Sequence, residues 1–193
     1  MQRPLILASQ SPRRKQLLEW AEIHFTIEVV ETDESFSTEM DPAEIPIHIA
    51  RAKALAVKAK RRTEGRDFDT PVYLAADTVV VLNNEIINKP KDRADAIAML
   101  SRLSGQQHRV ITGVVILDKE KEIAFSEITQ VQFHALTQVQ IAHYVDQYKP
   151  YDKAGAYAIQ EWIGVIGIAA INGDFYNVMG LPVSRVVKAL PVL

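Results

Sequence analysis

The sequence predicts an α/β fold with a mixed β-sheet flanked by helices. Three observations carry that prediction. Short β-branched apolar runs alternate with helical stretches along the whole chain. Some of these runs are joined by tight turn signals and others are separated by helices, so parallel and antiparallel neighbours should share one sheet. The first apolar run is followed neither by the spaced glycines of a dinucleotide-binding unit nor by a Gly-rich loop ending in Lys-Ser/Thr, which argues against a doubly wound parallel sheet.

Taken in order, Leu5–Ala8 reads as a short buried strand, too short for the roughly 7–15-residue apolar core of a signal peptide. Ser11-Pro12 then opens a helix, with Ser as N-cap and Pro at the first helical position, running to about Ala21. Phe25–Val30 reads as a strand. Asp41-Pro42, with Glu44 three residues after Asp41, opens a helix to about Lys60. Its apolar stripe is expected at Ile45, Ile49, Ala52, Leu55, Ala56 and Ala59. Arg61–Thr70 reads as a solvated loop and Val72–Leu82 as a strand, with Asn83-Asn84 turning a hairpin into Glu85–Ile87. A helix follows over Asp92–Leu103, and then two long strands, Arg109–Leu117 and Ile123–Phe133, joined at Asp118–Glu122. Thr137 is placed to cap a helix ending near Tyr148. Lys149–Lys153 reads as a loop, Ala154–Ile171 as strands, and Pro182–Leu190 as a closing helix.

The bulk numbers bound the function. At 193 residues the chain suits one domain or a compact two-lobed one, and 48% apolar with 24% charged residues is an ordinary globular balance. The charge sum is 22 − 24 = −2, so nothing draws the whole molecule to nucleic acid or an anionic membrane, and any phosphate site must be a local cluster. The aromatic share of 7% also disfavours a nucleic-acid binder. No window approaches the roughly 18 apolar residues of a membrane span. The absence of cysteine removes disulfides, thiolate metal sites and cysteine nucleophiles, and fits a reducing compartment. Together these features predict a soluble cytoplasmic protein. The five histidines show no ligand spacing.

Five clusters could carry chemistry. Ser9-Gln10-Ser11-Pro12-Arg13-Arg14-Lys15 lies where a strand meets a helix N-terminus, which offers free N–H groups, two hydroxyls and three cations to a phosphate chain. It also reads as a capped helix with a solvated basic turn. Asp33-Glu34 reads either as a carboxylate pair for Mg²⁺ or as part of an acidic loop. Lys53 borders the stripe of its helix, so it either snorkels or points into a cleft. Asp77 stands inside the apolar strand Ala75–Val81, where an ionised carboxylate is costly without a partner. It should bind a metal, accept a proton, pair with a cation such as Lys89, or bond to the N–H groups of a turn. Asp152–Gln160 combines small residues, which allow close backbone approach, with a terminal amide able to donate and accept at a base edge; it also reads as a loop-to-strand junction.

In order along the chain, Leu7-Ala8-Ser9-x-Ser11-Pro12-Arg13-Arg14-x-x-Leu17-Leu18, Asp33-Glu34, Ala50-Arg51-Ala52-Lys53-Ala54, Ala76-Asp77-Thr78, Lys89-Pro90, Met99-Leu100-x-x-Leu103-Ser104-Gly105, His108-x-Val110-x-Thr112-Gly113-Val114, Asp152-Lys153-Ala154-Gly155-Ala156-Tyr157-x-Ile159-Gln160 and Gly180-Leu181-Pro182 resemble the Maf family of nucleotide pyrophosphatases. The resemblance spans a single domain over residues 1–193. It implies an elongated mixed sheet and a central cleft between two lobes, similar to the inosine-triphosphate pyrophosphatases. It implies hydrolysis of a nucleoside triphosphate to the monophosphate and pyrophosphate with Mg²⁺ or Mn²⁺, and commonly a homodimer. It assigns Asp77 as proton acceptor and Glu34, with Asp77, to metal and water. Ser9, Arg14, Lys53 and Lys89 fall where the family grips phosphates, and Arg13, Thr78 and Gln160 fall at positions linked to base choice.

Arg13, Lys53 and Gln160 together resemble the branch acting on dTTP and UTP, which implies a pyrimidine pocket that extends to modified uridine or cytidine triphosphates. The alternatives are the 7-methyl-GTP branch and a nucleotide-binding regulator of septum formation. Gln10 and the pair Glu161-Trp162 depart from the family pattern and bear on substrate preference.

Overall fold

The structure is a computed structural model, and it describes residues 3–66, 70–119 and 121–190. Among the described residues seven strands form one mixed sheet: β1 Leu5–Leu7, β2 Thr26–Ile27, β3 Val72–Leu82, β4 Glu85–Ile87, β5 Gln107–Asp118, β6 Lys121–Phe133 and β7 Ile168–Asn172. Their order is β2-β1-β3-β5-β6-β7, with β4 paired to β3. β1 runs parallel to both β2 and β3, whereas β4 and β7 lie antiparallel to β3 and β6. The expected mixture of directions is therefore present. Asn83 and Asn84 both adopt left-handed φ (50° and 65°), the geometry that lets a two-residue hairpin follow the strand twist.

Seven α-helices accompany the sheet among the described residues: α1 Pro12–Trp20, α2 Ile45–Thr63, α3 Arg93–Leu103, α4 Gln138–Tyr148, α5 Trp162–Gly167, α6 Phe175–Met179 and α7 Val183–Ala189. None is long and apolar enough to cross a membrane. The capping signals at Ser11 and Thr137 hold. The Ser11 side chain accepts from the Arg14 amide, and Thr137 and Gln140 form a reciprocal capping box at the start of α4.

The chain divides into two compact units. The first comprises residues 1–77, 112–127 and 180–193. Its core joins Ile6 and Ala8, Tyr73 and Ala75, Val115 and Leu117 to Ile47, Ala50, Ala54 and Val57 of α2. Gly113 of β5 shows how close the packing is: a Cβ there would lie 2.3 Å from the Ile47 nitrogen, so only glycine lets the first turn of α2 rest on the strand. The second unit comprises residues 78–111 and 128–179. Here α3 packs on α4 through buried Leu100, Leu103, Ile141 and Val145, while His108, Phe133 and Tyr157 meet edge to face.

Several expectations need correction. The Asp41 signal closes a turn, with Glu44 N–H donating to the Asp41 carbonyl, and α2 begins only at Ile45. Ile45 and Ile49 of the expected stripe are buried, but the buried face then follows Ile47, Ala50, Ala54, Val57 and Arg61, while Leu55 is 48% exposed. Arg61 takes a place on that face because its guanidinium reaches Glu28 at 2.5 Å. The helix thus extends past Lys60, and residues 67–69 of the expected loop lie outside the described residues, as does residue 120 of the β5–β6 link. β2 is shorter than expected because its partner β1 has only three residues.

The stretch 154–171 holds one strand and not several. Ala154–Ala156 is a 3₁₀ turn with Gly155 and Ala156 at left-handed φ, and Trp162–Gly167 is helical. A Cβ at Gly164 would sit 1.7 Å from the Ile159 carbonyl oxygen, so the missing side chain permits that tight turn. Helix α6 had no expected counterpart.

His108 Nε2 lies 2.7 Å from the Tyr157 hydroxyl. Burial pushes the Tyr157 phenol up, so it keeps its proton and donates to the ring. The Nδ1–H then has no hydrogen-bond partner among the described residues. Burial also pushes the imidazole down to about 4. The unfolded ring titrates near ~6.5, so the unfolded chain takes up the extra proton first as the pH falls. Stability from this group is complete above that value and declines towards pH 4, by roughly 3 kcal/mol at most. Urea unfolding between pH 7.5 and 4.5 should show the loss, and His108→Phe should flatten that part of the profile.

Candidate active site

In the first unit, Ser9 follows β1 and Arg14 sits in the first turn of α1, both buried. The two are locked together. Arg14 donates from Nη1 to Ser9 Oγ at 3.2 Å and from Nε to the Gly180 carbonyl at 2.7 Å. Ser9 Oγ also accepts the Ser11 amide at 3.2 Å. Burial lowers the Arg14 pKa, and the negative charges of Asp77 and Glu34 work against that shift. A guanidinium stays charged across the ordinary pH range, so Arg14 is a fixed cation held at a helix start. Its neighbour Arg13 is half-buried. Of the three cations in that turn, one is thus turned inward by a carbonyl that no side-chain pattern could reveal, while Lys15 is exposed.

Glu34, Lys53 and Asp77 converge. Lys53 Nζ lies 2.7 Å from Glu34 Oε1 and 2.8 Å from Asp77 Oδ1. One contact gives Lys53 its direction and Asp77 a cation. The lysine points to the carboxylates rather than snorkelling, and the strand carboxylate takes its cation from α2. The suggested partner Lys89 is instead an exposed residue beyond β4 in the second unit. The pair Asp33-Glu34 also separates into two roles. Asp33 accepts from the Ser35 amide and hydroxyl, both at 2.8 Å, and those bonds hold its carboxyl low. Glu34 alone of the two reaches Lys53.

Two carboxylates within hydrogen-bonding reach of one ammonium form a hard-oxygen donor pair of the kind Mg²⁺ accepts, with phosphates and water filling the rest of its shell. Among the described residues no group of three or more His, Asp or Glu side chains gathers into a self-sufficient metal cage. The donor set therefore fits a cation delivered with, and shared by, a phosphate substrate.

The remaining sequence-derived residues belong to the second unit. Thr78 is half-buried on β3, and Lys89 and Gln160 are exposed. Gln160 is the third residue of a turn closed by the Glu161 amide donating to the Ala158 carbonyl at 3.1 Å. That places its amide at the surface, between buried Ile159 and the start of α5.

A mixed α/β chain with a buried Ser–Arg pair at a helix start and two carboxylates sharing a lysine has the parts of a phosphate-handling hydrolase. Comparison with known proteins narrows this. The family model described as Maf-like protein matches residues 4–193. A dTTP/UTP pyrophosphatase of Cytophaga hutchinsonii is 48% identical over 186 residues, covering 96% of this chain and 82% of that protein. Proteins of the same name from Parabacteroides distasonis (47% identical; 96% and 94% covered) and Porphyromonas gingivalis (44%; 93% and 88%) are similar to it as well. The chain belongs to the Maf family.

Replacing Arg14 by Lys keeps the charge and loses the fork that bonds Gly180 and Ser9 together. Urea unfolding of Arg14→Lys should show a loss of about 1–3 kcal/mol. An unchanged midpoint would mean the lock contributes nothing to stability.

Proposed function

We propose that this protein hydrolyses dTTP and UTP, and modified pyrimidine triphosphates, to the monophosphate and pyrophosphate. The observation that carries this reading is the meeting of Glu34 and Asp77 on Lys53, in the unit that also holds the Ser9–Arg14 lock. The relatives' printed names support the choice of substrate.

The reaction is attack of water on the α-phosphorus, with cleavage of the bond to the bridging oxygen and departure of pyrophosphate. Asp77 takes the proton from the attacking water. Glu34 orients that water and, with Asp77, would hold a divalent cation. Such an ion, when bound, neutralises phosphate charge and supports the leaving group. Lys53 offers its ammonium to the phosphate chain while keeping both carboxylates oriented. Arg14 and Ser9 form a rigid phosphate anchor, and rigidity matters because a preorganised cation need not reorganise as charge moves. Family resemblance gives Lys89 a phosphate role as well, and gives base choice to Arg13, Thr78 and Gln160.

Pyrophosphate release with Mg²⁺ should be fast from dTTP and UTP and slow from purine triphosphates. Preference for 7-methyl-GTP would move the chain to the other branch of the family, and no release from a folded sample would favour a nucleotide-dependent regulator. Asp77→Asn should bind nucleotide and lose at least about 10²-fold in turnover, the lower end of general-base help. A variant keeping more than about a tenth of the rate would remove Asp77 from that role. Arg13→Ala and Gln160→Ala should alter the ratio of kcat/KM between nucleotides, dTTP and dATP among them, more than they lower the best rate.

A further inference from the structure

We propose that Glu161, clamped by Tyr144 and Lys153, is a positioning residue that sets pyrimidine selectivity by fixing the turn that carries Gln160. The inference rests on the base-reading role of Gln160 given above.

The turn Ala158–Glu161 is held at both ends by one hydroxyl. Tyr144 Oη accepts the Ala158 amide at 3.1 Å and donates to the Glu161 carboxylate. The first and last residues of the turn are thereby stapled together from outside, in addition to the bond between Glu161 N–H and the Ala158 carbonyl. The Tyr144 ring cannot drift: it is fully buried on α4 and stacks on Tyr148 with centroids 5.0 Å apart at 24°. The second Glu161 oxygen lies 3.5 Å from Lys153 Nζ, which also contacts Asp152 at 2.8 Å. Lys153 is a buried cation at the opposite end of the 153–161 segment, so the ion pair ties the start of the segment to its finish.

Glu161 occupies the N-cap position of α5 and makes no capping bond with its side chain. An N-cap glutamate in local control would turn back to the helix amides. This one reaches instead to a tyrosine 17 residues before it. Local helix chemistry does not explain that direction, whereas anchoring of the turn does. Within the turn, Ile159 is buried and Gln160 is exposed, so the clamped backbone presents a single polar side chain outward.

The chemistry of base choice explains why such an anchor matters. A glutamine amide carries a donor and an acceptor on the same group, and a half-rotation exchanges them. The two orientations between them suit the N3–H and O4 edge of uracil or thymine and the N3 and amino edge of cytosine, so the amide by itself reads a pyrimidine edge. Its reach is set by the backbone: a turn displaced by about 0.5 Å weakens its hydrogen bonds to a pyrimidine edge whichever way the amide faces, while a purine, whose edge lies farther from the sugar, loses nothing.

The test is a double-mutant cycle read as the dTTP-over-dATP ratio of kcat/KM in the full-length protein. Glu161→Gln removes the charge that Lys153 needs, and Tyr144→Phe removes only the stapling hydroxyl. Each should lower the ratio by about tenfold, the worth of one charged hydrogen bond, through a raised KM for dTTP with kcat little changed. In a Gln160→Ala background the same substitutions should change the ratio by less than about twofold, because Glu161 acts through Gln160. Three results would overturn the inference. A wild-type ratio in both single variants, with Gln160→Ala altering it, removes the anchor and leaves the base-reading role intact. An equal fall on every nucleotide, independent of Gln160, reduces the clamp to ordinary stability. An unchanged ratio in Gln160→Ala itself overturns the base-reading role and this inference with it. Should Glu161→Gln fail to fold, Tyr144→Phe alone decides among these outcomes.

Discussion

An aspartate in the middle of an apolar strand is the constraint around which the first unit is arranged. Residues 72–76 of β3 are buried, and the strand turns apolar and buried again from Val79. Asp77 would be costly there without compensation. The cation comes from α2, which must therefore lie against the sheet at a depth and rotation that bring Lys53 to the carboxylate. The buried series Ile47, Ala50, Ala54 and Val57 sets that rotation, and Gly113 sets the depth. Glu34 closes on the same ammonium from the loop beyond β2. Core packing and the meeting of two carboxylates on Lys53 are thus two views of a single helix placement.

Much of this was legible in the sequence because it is local. Caps, the Asn-Asn hairpin and the long strands β5 and β6 depend on neighbours a few residues apart. Asp77 stood out because charge inside a β-branched run contradicts the hydrophobic pattern. The misreadings share a different cause. The α2 stripe agrees with the structure at Ile45 and Ile49 and departs from it towards Leu55, and the C-terminal part of the buried face includes Arg61, a charged residue buried through Glu28, a partner 33 residues away. The strands expected over 154–171 gave way to turns because Gly155 and Gly164 permit backbone paths that a periodicity argument does not consider.

The site shows the same division. Family order placed the individual residues, yet pairing was beyond its reach. Asp33 and Glu34 are adjacent and chemically alike, and the hydroxyl and amide of Ser35 separate a loop-closing carboxylate from the one that meets Lys53. Arg13 and Arg14 are likewise indistinguishable by type, and a backbone oxygen at Gly180 picks out the second. Tyr144 carried no signal at all, because a tyrosine on the buried face of an amphipathic helix is ordinary core until its hydroxyl is seen to have two partners.

Gly113 has an evolutionary corollary. With backbone atoms of α2 at 2.3 Å from where a Cβ would stand, even a methyl group there must displace the helix. Surface positions of α2 such as Lys60 and Arg62 are free to drift, since their substitution disturbs neither sheet nor carboxylates. The strand position is closed to that drift, although it bears no functional group and touches no reactive atom. A residue with nothing to contribute chemically is thereby under the same restraint as the lysine it helps to place.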